Sequence, residues 1–462
     1  MVIGLALSVL WAAPAHAGTP TLSLKPKTGP PTSQVTVSGG GFGPTEIVDI
    51  RFDATPVGSA TTDATGAFSA QILVPAAATP GTHQVKARGQ DTGEVARARF
   101  LVRTNWPHFH FDAANSGFNP FENVLSPSNV SGLEQKWAVP TVAGAAPDPV
   151  VADGLVYVAP ADGLVRALDA STGSLVWSFD MGAAGLGAAP TFEGGRLFVE
   201  SEDGTVYALD AKTGGFIWSV NVFRDGNLAS QSTVKQALTV THGMVIVSGT
   251  EAQTSVVDGI DEDTGTIEWS QGSSAEGTAA AGGGLVYMSQ FIGTILWAYD
   301  VETGDIVWLA TLGGELGDVA SPAFADNHVF AGANNYLFAL NASRGGVNWK
   351  DNDRYFPSST PAVGGGVGYF TAGPRMFAFD PSTGALLWHT KADFTFGSSP
   401  AVANEVLYVG VGDVLRAYDA SSGQGVWDSP VAGGLFSSSP AVSDGVVYAS
   451  TDDGTVYAFA LP

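Results

Sequence analysis

Short apolar runs that alternate with polar residues follow one another along most of the chain, separated by turn residues. Within residues 19–103 they include Gln34-Val35-Thr36-Val37 and His83-Gln84-Val85-Lys86-Ala87. The runs are divided by Gly39-Gly40-Gly41, Asp63-Ala64-Thr65-Gly66 and Thr79-Pro80-Gly81. Period-two alternation bounded by Gly, Pro and Asp predicts half-buried strands. About seven of them at regular spacing predict a small β-sandwich.

From Trp137 the pattern becomes a repeat. Trp137, Trp177, Trp218, Trp269, Trp308, Trp349, Trp388 and Trp427 are spaced by 40, 41, 51, 39, 41, 39 and 39 residues. Each later Trp closes a phrase such as Ala167-Leu168-Asp169-Ala170-Ser171-Thr172-Gly173-Ser174-Leu175-Val176-Trp177. The phrase has the chemistry of a hairpin: an apolar strand ends at Asp, whose carboxylate accepts turn amides, and Gly supplies a positive φ. Two further strands precede it, as in Pro400-Ala401-Val402 and Leu407-Tyr408-Val409. Four strands in about 40 residues make one propeller blade. Seven complete units end at Trp427, and an eighth, from Pro440 to Ala460, lacks its Trp strand. The strand Leu133-Glu134-Gln135-Lys136-Trp137 supplies it, which removes an open sheet edge. The expected fold is all-β: an eight-bladed β-propeller with a small N-terminal immunoglobulin-like β-sandwich.

The phrase Ala-x-Asp-x-x-Thr-Gly-x-x-x-Trp resembles the tryptophan-docking motif of the pyrroloquinoline-quinone-like (quinoprotein-type) repeat propellers. That superfamily holds quinoprotein alcohol dehydrogenases and the propeller lipoprotein of the BAM complex. Asn105-Trp106-Pro107-His108-Phe109, then Asp112, Gly117 and Leu125-Ser126-Pro127-Ser128-Asn129-Val130, resemble the lead-in found before secreted members. The front segment looks like IPT/TIG-type domains, through Gly29-Pro30-Pro31, Gly41-Phe42-Gly43, Thr61-Thr62-Asp63 and the turn from Ala78 to His83. The organisation expected is a signal peptide (1–17), an immunoglobulin-like domain (18–103), a lead-in (104–128) and the propeller (129–462).

Charge narrows the partners. The formal charge is −24, from 44 acidic and 20 basic residues, with no Lys/Arg run. Phosphate backbones require clustered cations to displace their counterions, so nucleic acid is not expected, nor is an anionic membrane surface. Val2–Ala13 is apolar and leads to Ala15-His16-Ala17, an export-signal pattern lacking the usual basic start. No later run is long enough to span a bilayer. The expected location is extracellular or in the cell envelope.

The family resemblance implies an axial quinone held with calcium, but its working enzymes stack the quinone on a vicinal Cys-Cys ring, and this chain has no cysteine. Quinone with calcium is therefore not expected, and no catalytic residue is assigned. His108, His110 and Asp112 alternate, so an extended segment would put them on one face as a metal grip; the plainer reading is a lead-in strand packed by Phe109 and Phe111. Asp261-Glu262-Asp263-Thr264-Gly265 suggests a calcium loop without the EF-hand register, and falls where the third blade needs its turn. A binding face is expected on the loops entering the innermost strands. Its candidates are Arg224, Asp225, Asn227, Gln231 and Lys235 in the longest loop, then Glu315, Asp318, Asp351, Asp353, Arg354, Tyr355 and Asp393. The function expected is a secreted, non-catalytic binding or scaffold protein with a protein or envelope partner. The alternatives are a quinoprotein-type oxidoreductase or other extracellular enzyme, and an envelope assembly factor.

Overall fold

The computed structural model describes residues 19–142, 147–183, 188–222, 237–251, 254–273, 275–290, 294–313, 320–333, 335–351 and 357–462. The segment read as an export signal lies outside them. The chain divides into two compact units, one ending at Arg103 and one running from Thr104 to Pro462.

The first unit has eight strands in two sheets. β1 (Thr21–Lys25), β3 (Gln34–Gly40) and β6 (Phe68–Leu73) form one, in the order β1-β3-β6. β2 (Thr28–Gly29), β4 (Ile47–Phe52), β5 (Thr55–Thr61), β7 (Gly81–Gly89) and β8 (Val95–Val102) form the other, in the order β2-β8-β7-β4-β5. Val35, Val37 and Ile72 meet Val48, Ile50, Val85 and Phe100 in one apolar core. Alternation is what buries these residues and leaves their neighbours outward. The strand beyond the seven expected is β2, a two-residue element pairing in parallel with Leu101-Val102.

The second unit is a β-propeller. Its first sheet is Val150–Ala152, Leu155–Val158, Leu164–Asp169 and Leu175–Asp180, each strand hydrogen-bonded to the next. Sheets of the same order begin at Thr191, Thr239, Glu276, Ala323, Ala362 and Ala401. In the last, Ala441–Ser443, Val446–Ser450 and Thr455–Ala460 are joined by a strand from far upstream, β10 (Glu134–Pro140). β10 pairs antiparallel with Thr455–Ala460, setting Glu134 opposite Ala460 and Trp137 opposite Ala458. The first strands touch in succession, and the strand at Ala441 touches the one at Val150, so they close an inner circle.

The tryptophans join each sheet to its successor. The indole N–H of Trp137 donates to Ala170 O (3.1 Å), Trp177 to Ala211 O (3.0 Å), Trp218 to Glu262 O (3.1 Å) and Trp269 to Val301 O (2.9 Å). Trp308 reaches Ala342 O (2.8 Å), Trp349 Pro381 O (3.0 Å), Trp388 Ala420 O (3.0 Å) and Trp427 Leu133 O (3.1 Å). In seven of the eight cases the acceptor follows the Asp or Asn that opens the next hairpin. At the closure Leu133, after the short 3-10 turn Val130–Gly132, takes that part. Each hairpin glycine lets an indole lie on the backbone: a Cβ on Gly214 (φ +72°) would stand 2.6 Å from Trp177 Cε3. The Asp opens the turn as its chemistry demands, with Asp169 Oδ1 accepting Ser171 N (3.0 Å) and Thr172 N (2.9 Å). The hydroxyl of Ser171 is the main reason this carboxyl titrates below its usual range.

Candidate functional site

The inner circle of first strands presents a row of edge N–H groups, and the lead-in satisfies six of them. Trp106 exchanges both backbone bonds with Val151 (2.7 and 2.9 Å), and Pro107 O accepts Phe192 N (2.8 Å). Ala113 O accepts Ala281 N (2.6 Å), Ala114 O Phe324 N (2.8 Å), Ser116 O Val363 N (2.7 Å) and Gly117 O Val402 N (2.7 Å). Phe118–Asn119, here β9, then pairs in parallel with Val402-Ala403, and Asn119 Nδ2 donates to Val442 O (2.8 Å). The lead-in is thus a strap that contacts seven of the eight first strands, six of them through a backbone N–H. Buried edge groups need such partners. Asn115, 1% exposed, spans two sheets by donating to Ala279 O and Pro322 O (3.0 Å each). Asn115→Leu is expected to cost about 2–6 kcal/mol, because two buried carbonyls lose their donor at about 1–3 kcal/mol each; chemical denaturation measures it.

The strap is not the extended segment expected from the sequence. His110 (φ +54°) and Phe111 (φ +82°) are left-handed, and Phe111 N closes a tight turn on His108 O at 3.2 Å. That turn breaks the alternation that would have put His108, His110 and Asp112 on one face. His108 Nε2 lies 3.4 Å from Glu193 Oε2, whereas His110 Nδ1 donates to Asn115 O at 2.9 Å. Burial lowers the His110 pKa to about 4, so its ring is neutral. Asp112 accepts Ala114 N, Ser116 N and the Ser116 hydroxyl, with burial raising its pKa. Among the described residues no three His, Asp or Glu side chains assemble as a metal ligand set. Asp261, too, is a hairpin residue: its Oδ1 accepts Asp263 N, Thr264 N and the Thr264 hydroxyl, and Asp263 pairs with Arg196 at 2.5 Å.

Of the loop candidates, Arg224, Asp225, Asn227, Gln231, Lys235, Glu315, Asp318, Asp353, Arg354 and Tyr355 lie outside the described residues. Asp351 Oδ1 accepts Leu337 N at 3.1 Å, which ties it to its own sheet, and Asp393 is exposed.

One carboxyl is not among the residues that the sequence singles out. Glu200 ends the second strand of the second sheet, opposite Val206. The register-equivalent residues in the sheets that follow are Ser248, Ser289, Gly332, Thr371, Gly410 and Ser450. Glu200 is 7% exposed, and neither carboxylate oxygen has a hydrogen-bond partner among the described residues. Burial, aided by the nearby charge of Asp203, raises its pKa to about 8. Its sequence signal is a charge inside Leu197-Phe198-Val199-Glu200, where its counterparts are small.

A cleft of about 590 Å³ opens between the sixth and seventh sheets and the strap, lined by Phe118, Tyr369, Trp388, Val402 and Glu405 among others. The second and fifth sheets place Phe192 and Phe324 in the middle of the first strand, stacked on Tyr157 (6.3 Å) and Tyr287 (5.8 Å) of the sheet before. The seventh has Val402 there, as the first, third, sixth and eighth have Val151, Val240, Val363 and Val442, and the buried Tyr369 forms part of the cleft wall.

A circle of tryptophan-docked four-stranded sheets around a buried strap defines a propeller built from PQQ-type repeats. Residues 161–372 and 372–461 match the family model PQQ_2, described as outer membrane protein assembly factor BamB, and the chain belongs to that family. Residues 106–187, strap included, match the model described as glucose/ethanol/alcohol dehydrogenase, beta-propeller domain. A quinohemoprotein alcohol dehydrogenase of Comamonas testosteroni is 29% identical over 90 residues, which is 19% of this chain and 13% of that relative. The chain thus aligns with only a small part of that enzyme. The enzyme's crystal structure superposes with a TM-score of 0.65 at 17% identity, over 77% of this chain and 80% of that one. BamB of Moraxella catarrhalis gives a TM-score of 0.58 at 19% identity, over 71% and 99%. At these identities the likeness is one of fold. Among the described residues no helix is long and apolar enough to cross a membrane.

Proposed function

We propose that this is an exported, non-catalytic binding protein that works in the cell envelope or outside it. In this reading residues 1–17 are the export signal and 18–103 an immunoglobulin-like spacer of the IPT/TIG type. Residues 104–128 are the strap, and 129–462 an eight-bladed ring closed by β10. The observation that carries the reading is the strap: the chain's own backbone takes up the inner edge of the ring and leaves a rigid body with a cleft in its wall. Rigid rings of this kind serve as platforms for partners. The family description, an assembly factor of the outer membrane, favours a protein partner.

The described residues do not suit a quinone–calcium centre. There is no cysteine to form a stacking platform. A lone carboxyl among Ser, Gly and Thr, held protonated by burial, is a poor ligand for a divalent cation. Titration of the purified chain with pyrroloquinoline quinone and calcium is expected to release no binding heat; saturable heat would instead support the oxidoreductase reading. Val402→Phe is expected to project a ring into the cleft, keeping the thermal midpoint within about 3 °C while abolishing capture of an envelope partner. Capture that persists in this variant would move the partner site to another face.

A further inference from the structure

We propose that the cleft between the sixth and seventh sheets receives an arginine side chain of a partner protein; the inference rests on that cleft being the partner site. Its wall is apolar, with Phe118 from the strap, Tyr369, Leu387 and Trp388 from the sixth sheet and Val402 from the seventh. The polar groups of the lining are what select the occupant. Every side-chain donor among them is already engaged. The Tyr369 hydroxyl and the Trp388 indole both donate to Ala420 O, at 3.3 and 3.0 Å. Asn119 Nδ2 donates to Val442 O, Asn404 Nδ2 to Leu125 O and the Ser421 hydroxyl to Asp419 Oδ1. The buried Glu122 accepts the amides of Val124, Leu125 and Gly445, which occupy both of its oxygens. What remains is the carboxylate of Glu405, on the exposed turn joining the first two strands of the seventh sheet. Among the described residues it has no ion pair, and no Lys, Arg or His lines the cleft. Its charge is felt inside: Tyr369 titrates at about 12, above its usual value, first because it is buried and then because Asp419 and Glu405 lie near.

Apolar walls, no free side-chain donor and an uncompensated carboxylate together suit a positive group that only donates and is carried on an apolar stem. Guanidinium fits best. It is flat and weakly hydrated, stacks on aromatic faces, and sets two parallel N–H groups against one carboxylate. An ammonium is a compact, strongly hydrated point charge that gives up more on leaving water. An anionic or acceptor-rich ligand meets only a like charge. The volume of about 590 Å³ is that of a drug-sized ligand, more than one side chain fills. Apolar residues on either side of the arginine therefore take up the surface at Phe118 and at Leu387, which is 52% exposed.

The full chain, titrated calorimetrically with acetyl-Leu-Arg-Leu-amide, is expected to bind it with a Kd below about 1 mM. Acetyl-Leu-citrulline-Leu-amide, the same shape without the charge, should bind about fivefold or more weakly, and the lysine peptide about threefold or more weakly. Glu405→Gln should bring the arginine peptide down to the citrulline level. It should leave the thermal midpoint within about 2 °C, because the carboxylate it replaces is exposed and unpaired in the folded chain. Glu405→Arg should invert the preference, towards acetyl-Leu-Glu-Leu-amide. Equal binding of the arginine peptide and either the citrulline or the lysine peptide overturns the inference. So does a failure of all the peptides to bind, or acetyl-arginine-amide alone binding as tightly as the tripeptide. Failure of the partner-site reading looks different: Val402→Phe then still captures the envelope partner. Capture lost in Val402→Phe but kept in full by Glu405→Gln leaves the cleft as the partner site and removes the arginine from it.

Discussion

Replacing Trp308 with alanine is expected to lower the stability of the propeller unit by about 3–5 kcal/mol, the range for truncating a buried aromatic. Trp308 is 9% exposed, donates to Ala342 O at 2.8 Å and packs 5.8 Å from the Tyr287 ring. Its face lies on Gly345, where a Cβ would stand 2.5 Å from Cε3. The truncation therefore opens a void between two sheets and leaves one buried carbonyl without a donor. Trp308→Phe keeps most of the area and isolates the second loss, at about 1–3 kcal/mol. Denaturant unfolding followed by far-ultraviolet circular dichroism measures both. A change below about 1 kcal/mol for the alanine variant would mean that the indoles are not what holds neighbouring sheets together.

The same indole is the feature that makes the fold readable. A Trp recurring every 39 to 41 residues, with one interval of 51, after Asp or Asn and Gly at constant distances, specifies strand, turn and strand. In this geometry no other residue both fills the gap between sheets and donates to the next hairpin. The pairing of Leu133–Trp137 with the C-terminal sheet follows from counting strands, and β10 runs there. The strap is harder to read. His108-Phe109-His110-Phe111 alternates like a strand, and only positive φ at His110 and Phe111, paired with the inner circle, turns it into a tight bend. Non-glycine residues in that region are rare enough that alternation gives no warning. The cleft is hidden for a different reason: Val402 is an ordinary strand residue, and only the folded chain brings it beside Phe118 and Trp388. Glu200 has a visible signal, a charge inside an apolar strand, but carboxylates of interest are expected on loops, where most of them are solvated.

Glu200 also yields a pH dependence opposite to that of the hairpin acids. Its pKa rises from the ordinary 4.5 to about 8, first because burial disfavours the charged form and then because Asp203 repels it. The folded protein therefore holds a proton that the unfolded chain gives up near pH 4.5. Stability from this group is complete below that value, falls as pH rises and reaches its floor above about pH 8. Asp169, Asp210 and Asp419, whose pKa values are lowered by turn hydrogen bonds, act in the other sense and lose their contribution only in acid. Between neutrality and pH 9 those acids stay ionised, so they add nothing to the decline. Glu200→Gln keeps shape and neutrality and cannot ionise. It is expected to match the parent near pH 5 and to be more stable by about 2–4 kcal/mol at pH 9. That range follows because each tenfold change in acidity is worth about 1.4 kcal/mol, and some relaxation around the charge recovers part of the cost. Asp203→Asn should recover a smaller part of the gain by removing the repelling neighbour. Denaturation midpoints of the three proteins across pH 5 to 9 decide the matter: parallel curves for parent and Glu200→Gln would show that the carboxyl reaches water or a counter-charge when it ionises.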